Sequence, residues 1–153
     1  QSLDLLRNAL LTDPEPDVQA AAADALGGLK MTEAFPDLAS IYESTEEWLL
    51  QFSIVAALGE MGDPRGFDLL VKALDSDISL VSTAATGALG ELGDPRAVPL
   101  LLPYVQADDW QVRHRVIQAL AQFDAPEAQT ALEQLSHDTS EMVADAAKRH
   151  MLM

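Results

Sequence analysis

A three-residue phrase recurs through this chain at nearly constant spacing. Ala25-Leu26-Gly27 returns as Ala57-Leu58-Gly59, as Ala88-Leu89-Gly90 and as Ala119-Leu120-Ala121, at steps of 32, 31 and 31 residues. Seven residues ahead of each alanine stands an apolar anchor (Val18, Leu50, Val81 and Val112), and Val143 continues the series by another 31. A fixed period of this length is the signature of a stacked repeat, in which no unit buries its apolar face alone.

Each unit reads as two helices. In the third, Leu80, Val81, Ala84, Ala85, Ala88, Leu89 and Leu92 follow helical spacing behind Asp77, the expected N-cap. Gly93 is expected to stop this helix, and Asp94-Pro95 to start the next at once, with proline where a missing N–H is no loss. Val98, Leu101, Leu102 and Val105 supply the stripe of that second helix. Gly62-Asp63-Pro64-Arg65 and Gly93-Asp94-Pro95-Arg96 repeat the same punctuation, whereas the outer units carry Lys30-Met31-Thr32-Glu33 and Phe123-Asp124-Ala125-Pro126. The spacing predicts first helices near 17–29, 46–61, 77–92, 108–123 and 140–151, and second helices near 34–42, 66–74, 97–106 and 126–136. Residues 2–11 read as the second helix of a unit whose first helix is missing. The expectation is a single all-α domain over residues 1–153, an α-solenoid of about four to five helix-pair repeats. Gln1 is not a natural start and no signal-peptide pattern follows it, as expected of a processed chain or an excised portion of a longer solenoid.

Composition narrows the function. Only 5% of the chain is aromatic although 48% is hydrophobic, so alanine, leucine and valine must fill the interior. Such side chains favour closely approaching helices and argue against a β-sandwich. The formal charge is −16, from 25 acidic and 9 basic side chains. That surface repels nucleic-acid phosphates and anionic membranes, while a basic partner protein would be steered inward. There is no cysteine, hence no disulfide or thiolate chemistry, and the expected compartment is the cytoplasm. No stretch approaches the roughly 18 uninterrupted apolar residues of a membrane span.

Asp108-Asp109-Trp110-Gln111-Val112-Arg113, followed by Ala119-Leu120, resembles the short HEAT-like repeat of the phycobilisome lyase type, as does Gly93-Asp94-Pro95-Arg96-Ala97-Val98-Pro99-Leu100-Leu101. The likeness covers nearly the whole chain. It implies right-handed stacking of helix pairs, with a concave face lined by the second helices. It also implies a choice among subunits that attach or detach bilins on phycobiliproteins, factors for phycobilisome breakdown, and scaffolds without chemistry. It carries over no catalytic residue, because the repeat motif is a folding motif. The valine-arginine pair of that motif stands only at Val112-Arg113; elsewhere the chain has Val18-Gln19, Leu50-Gln51, Val81-Ser82 and Val143-Ala144, which interrupts any arginine–aspartate ladder between repeats.

Candidate binding residues come from the second helices. Positions outside their apolar stripe are Pro36, Asp37 and Ser40, then Asp68, Leu69 and Lys72, then Pro99, Leu100 and Pro103. Leu69 and Leu100, 31 residues apart, are expected to neighbour each other and form an apolar groove for a partner helix or planar ligand. The competing reading buries them between repeats. Trp48 and Trp110 share a repeat position beside Glu46-Glu47 and Asp108-Asp109, suited to an interface anchor or to a staple over the preceding loop. Arg65 and Arg96 suit a partner carboxylate or a bilin propionate, or else an ion pair with the loops at Asp75–Asp77 or Asp108-Asp109. Arg113, His114 and Arg115 form the one local basic cluster, and Lys148 and Arg149 complement a helix dipole.

Catalytic and metal patterns are weak. His114, His137 and His150 share no ligand spacing, and Asp13-Pro14-Glu15-Pro16-Asp17 lacks the glycine of a calcium loop, so it reads as a stiff turn. There is no Gly-rich phosphate loop and no nucleophile elbow. The expectation is a scaffold without cofactor that binds a protein partner through Arg65, Leu69, Lys72, Arg96, Leu100, Pro103 and Trp110. The resemblance implies a phycobiliprotein or another photosynthetic-complex component as that partner. A bilin lyase or chaperone subunit is the alternative, and self-association a third.

Overall fold

A computed structural model of the chain describes residues 2–151. Ten helices follow one another: α1 (Ser2–Thr12), α2 (Pro16–Gly28), α3 (Phe35–Ser44), α4 (Trp48–Met61), α5 (Phe67–Leu74), α6 (Ser79–Leu92), α7 (Ala97–Leu101), α8 (Trp110–Leu120), α9 (Pro126–Leu135) and α10 (Glu141–Met151). Short 3-10 turns precede α3 (Thr32–Ala34) and α5 (Pro64–Gly66), and another continues α7 (Leu102–Gln106). Among the described residues there is no strand, and no helix is long and apolar enough to cross a membrane. The α-solenoid expected from the repeat is the fold observed.

The punctuation works much as the sequence implies. Gly62 and Gly93 end α4 and α6 in the left-handed conformation, with φ of 73° and 77°. Lys30 holds the same register position after α2 with φ 54°, a conformation that L side chains adopt at some cost, and its Nζ donates to the carbonyl of Glu60 at 2.6 Å. The carboxylates of Asp63 and Asp94 accept the backbone N–H of Arg65 and Arg96. Three details differ from expectation. Asp63-Pro64 opens a 3-10 turn rather than the helix itself. The helix expected over 97–106 stops at Leu101 and tightens to 3-10, with Pro103 supplying no N–H donor. Asp77 does not cap α6; the Ser76 hydroxyl accepts the Ile78 N–H instead.

Pairing is where the structure departs most from the sequence reading. α1 packs along α2, α3 on α4, α5 along α6, α7 with its 3-10 extension on α8, and α9 along α10. By contrast α2 scarcely meets α3. So α1 is the first member of a pair with α2, not the remnant of a broken unit. We call α1, α3, α5, α7 and α9 the outer helices and α2, α4, α6, α8 and α10 the inner ones.

The inner helices stack directly, and the packing of α2 on α4 and of α4 on α6 is the most extensive in the molecule. The glycine of each triplet explains why. A Cβ placed on Gly27 would lie 2.6 Å from the Ala57 Cα, one on Gly59 2.7 Å from the Ala88 Cβ, and one on Gly90 2.8 Å from the Ala119 Cα. Only hydrogen fits there. The outer helices are spread instead, with little direct packing of α3 on α5 or of α5 on α7. Long charged side chains span the first two gaps, Arg7 to Asp37 and Lys72 to Glu43. A stack spaced tightly on one layer and widely on the other curves toward the tight layer. The concave face is therefore lined by the inner helices, the second members of the observed pairs, which the sequence reading took as first helices.

The leucine of each triplet (Leu26, Leu58, Leu89 and Leu120) is fully buried, as are the anchors Leu50, Val81 and Val143. Val18 breaks that series. It lies on α2, ahead of which no other inner helix is stacked, and its side chain is exposed. The position after the anchor ties three of the inner helices to their outer mates: Gln19 donates to the Leu10 carbonyl at 2.9 Å, Gln51 to the Thr45 carbonyl at 3.0 Å, and Arg113 to the Ala107 carbonyl at 2.7 Å. Glutamine thus does within a pair what arginine does at the fourth. Arg113 alone also reaches forward, donating to both carboxylate oxygens of Asp138 at 2.9 and 3.0 Å. The ladder interrupted in the sequence survives as this single well-buried rung.

Two predictions follow from the packing. Gly59→Ala should lower the thermal midpoint, because overpacking of about 1–3 kcal/mol outweighs the roughly 1 kcal/mol that alanine gains over glycine in a helix. Gly87→Ala, where an added Cβ meets nothing within 4 Å, should raise it. Thermal unfolding followed by circular dichroism checks both. Asp138→Asn should lose about 1–2 kcal/mol at neutral pH. Burial opposes ionisation of Asp138, but the hydrogen bonds from Arg113 and the Ser140 N–H, with the charge of Arg113, hold its carboxyl below the ordinary value. That contribution is present above the unfolded value of about 4 and is lost as pH falls through the lower folded value. Midpoints of the wild type and Asp138→Asn should therefore converge below about pH 4.

Candidate functional site

The inner helices run parallel, so one edge of the concave face collects their N-terminal turns and the other their C-terminal ends. Along α6, Leu80, then Thr83 and Ala84, then Gly87 and Glu91 share one face at three- and four-residue spacing. The opposite face, with Val81, Ala85 and Leu89, is buried in the core. The exposed stripe is the floor of a groove of about 650 Å³, walled by Phe52 and Ala56 of α4 and by Arg115 and Gln118 of α8. A second hollow of about 600 Å³ shares Leu80, Thr83, Arg115 and Gln118 and extends to Trp110, His114 and Met142. The two form one trough across three to four repeats. Small side chains keep the floor low: Ala88 and Ala119, which face the glycines of the neighbouring inner helices, and Gly87, where an added Cβ would meet nothing within 4 Å.

The two edges differ in chemistry. Val18, Trp48, Leu80, Trp110 and Met142 each sit in the first turn of one inner helix, 40 to 58% exposed. They form a broken apolar line along the N-terminal edge. The Trp110 indole also meets the His114 ring edge-on at 6.3 Å. At the C-terminal edge, Glu60 and Glu91 occupy equivalent positions on α4 and α6. Asp24 of α2 lies near Glu60. Burial, opposed by a hydrogen bond with Ser53 and reinforced by the charge of Glu60, pushes the Asp24 carboxyl above its ordinary value. The carbonyl ends of the inner helices add partial negative charge to this edge. Arg115 is the cation within the trough, and it makes no ion pair among the described residues.

The residues singled out from the sequence fall mostly on the other layer. Arg65 and Arg96 pair with Asp63 and Asp94 of their own turns, each Nη2 donating at 2.7 Å, rather than with the loops at Asp75–Asp77 or Asp108-Asp109. Side-chain hydrogen bonding is the chief reason both aspartates lie below the ordinary carboxylate value. Each guanidinium also lies over the phenylalanine of the preceding outer helix, Arg65 on Phe35 at 4.6 Å and Arg96 on Phe67 at 4.1 Å. Arg65 further donates to the Thr32 carbonyl. These arginines hold outer helices together. Lys72 donates to Glu43, Leu69 is half-buried against the core, and Leu100 and Pro103 are exposed on the outer layer. Trp110 alone of the set lines the trough. Both tryptophans keep nearly half their surface in solvent, so a staple accounts for only part of each ring.

Phe52, Glu60, Leu80, Gly87 and Glu91 were not among the binding residues expected from the sequence, and Arg115 stood there only as part of a basic cluster. Their signal was present in the glycine and alanine content of the helices that carry them, which marks the tightly spaced and therefore concave layer. Among the described residues no three of histidine, aspartate and glutamate converge as a metal site requires. The geometry is that of an open groove between an apolar edge and an acidic one.

The sequence matches the HEAT-repeat family over residues 3–89 and again over 79–151, the first stretch opening within α1. No curated protein sequence matches the chain as a relative. The match is to HEAT repeats as a class and does not reach the phycobilisome lyase type in particular. Taken with ten helices stacked in pairs on a repeated glycine–alanine contact, it assigns the chain to the HEAT-repeat family.

Proposed function

We propose that this protein is an interaction scaffold that holds a partner protein in the trough of its inner face. One observation carries the reading: a groove of about 650 Å³ with an apolar floor, continuous with half-exposed Leu80 and Trp110. Apolar surface left open in a concave setting is the ordinary mark of a binding site. HEAT repeats commonly mediate association between proteins. The likeness of residues 93–101 and 108–113 to phycobilisome lyase repeats favours a phycobiliprotein or another photosynthetic-complex component as the partner, in the cytoplasm. The outer-layer set of Leu69, Lys72, Leu100 and Pro103, edged by Arg65 and Arg96, stands as the rival surface.

A second reading, a subunit that handles bilins, draws on the hollow where Trp110, His114 and Arg115 meet. An indole and a guanidinium there suit a planar chromophore bearing propionates.

Leu80→Glu should abolish capture of the partner in a crosslinking pull-down from the native source and leave helical circular dichroism intact, since Leu80 is more than half exposed. Leu69→Glu with Leu100→Glu should leave capture unchanged. The reverse pattern would move the site to the outer layer. For the second reading, a shift in the visible absorption of free bilin on mixing, lost in Trp110→Ala, is the expected result, and an unchanged spectrum would sink it.

A further inference from the structure

We infer that the occupant of the inner face is a cationic amphipathic helix, laid along the stack across α4, α6 and α8, with its apolar side on Leu80 and Trp110 and its lysines or arginines against Glu60 and Glu91. This inference rests on the scaffold reading and specifies the partner's chemistry.

Charge comes first. The trough runs between an apolar edge and an acidic one, on a chain of net charge −16. Glu60 and Glu91 are both exposed and make no ion pair among the described residues. With Asp24 near Glu60 and the carbonyl ends of the inner helices behind, the C-terminal edge stays net negative even with the Lys30 ammonium on the Glu60 carbonyl. The Asp24 carboxyl is raised chiefly by burial, and the charge of Glu60 adds a lesser share. A second copy of this chain would bring another −16 and be repelled. A nucleic acid or an anionic lipid surface would be repelled likewise. A cationic segment relieves the crowding.

Geometry then selects a helix. Inner helices packed through glycine lie at the short end of the usual separation of about 8–10 Å. Equivalent groups on neighbouring inner helices, such as Glu60 and Glu91, therefore repeat along the trough at about that interval. An α-helix rises about 1.5 Å per residue, and residues seven apart return to the same face after about 10 Å. One heptad of the partner thus overshoots one repeat of the solenoid by about 2 Å, a difference that long lysine or arginine side chains take up. Cations seven residues apart would meet Glu60 and Glu91 in turn, and apolar residues at the same interval would meet successive members of the N-terminal line. The small floor at Ala56, Ala84 and Gly87 leaves room for helix-sized bulk, and nothing stands within 4 Å of a Cβ built at Gly87.

The remaining charges set the partner's orientation. Arg115 stands at mid-height on the α8 wall, with His114 and Asp109 beyond it toward Trp110. A lysine directed at Arg115 would be repelled, whereas an acidic residue there would be held. The favoured helix is therefore cationic along one flank only, the flank that faces Glu60 and Glu91.

The test uses a synthetic helical peptide of about three heptads, with leucine at every seventh position and lysine along one flank. Its controls are a twin with glutamate for lysine and a scrambled sequence of equal charge. Binding is read by anisotropy of the labelled peptide and by intrinsic emission, since Trp48 and Trp110 are the only tryptophans and Trp110 lines the trough. The lysine peptide is expected to bind at least about tenfold more tightly than either control and to weaken as salt is added. Glu60→Gln with Glu91→Gln should remove about five- to tenfold of that affinity, with circular dichroism unchanged. Equal binding of the lysine and glutamate peptides, indifference to the double substitution, or equal binding of the scrambled peptide would overturn the inference. So would self-association in sedimentation that Leu80→Glu abolishes. If charge preference is absent while Leu80→Glu still abolishes native capture, only the cationic helix is lost and the scaffold stands. If capture ignores Leu80→Glu as well, both fall.

Discussion

The structure hangs on hydrogen atoms where methyl groups would collide. At Gly27, Gly59 and Gly90 an added Cβ would come within 2.6 to 2.8 Å of the next inner helix. Those three contacts set the separation of the inner layer, and the separation sets the rest. Tight inner spacing against loose outer spacing curves the stack, the curvature makes the inner face concave, and the small residues that permit it floor the trough. A larger side chain at any of the three sites would disturb stability and the shape of the binding surface together.

The two layers solve their packing problem with different chemistry. Inside, glycine and alanine bring backbones together, and dispersion over many close contacts supplies the adhesion. Outside, the gaps are wide enough that long side chains must cross them, as Arg7 reaches Asp37 and Lys72 reaches Glu43. Arg65 and Arg96 belong to the same outer system, each fixed to an aspartate of its own turn and laid over a phenylalanine of the preceding outer helix. Exposed pairs of this kind are individually weak. Their role is spacing. The basic side chains thus fall largely on structural duty, which leaves the side chains of Glu60 and Glu91 on the concave edge without an ion-pair partner among the described residues.

Much of the fold was legible in the sequence. The triplet and its anchors gave the period, Gly62 and Gly93 gave the helix ends, and most helix limits fall within two or three residues of the expected ones. The phase of pairing was not legible, because a period has no intrinsic starting point. Which of two successive helices shares a core is decided by stripes that meet only in three dimensions. The error in phase carried the candidate site with it, placing Leu69 and Leu100 on the face expected to be concave. Trp110 was identified because tryptophan is conspicuous in a chain with two of them. Leu80 and Gly87 looked like ordinary repeat residues, and only the curvature places them in the trough. The 3-10 continuation at Leu102–Gln106 reflects a local competition that helical periodicity does not register, with Pro103 withdrawing a donor from a stripe otherwise suited to an α-helix.

The glycine–alanine contact does not continue to the end of the stack. At its fourth step Ala121 stands where glycine stood, and His150 where the next alanine would be. The core divides at the same place, with Val116, Ala119 and Leu120 of α8 in the larger cluster while Ile117 joins a smaller one with Leu132, Leu135, Val143, Ala146 and Ala147. The early inner helices meet backbone to backbone, whereas the last step is held by side chains and by the Arg113–Asp138 ion pair. A contact made of side chains can absorb a substitution by repacking, and one made of backbone cannot. Sequence change should therefore be borne more easily at the C-terminal end of the stack than at Gly27, Gly59 or Gly90.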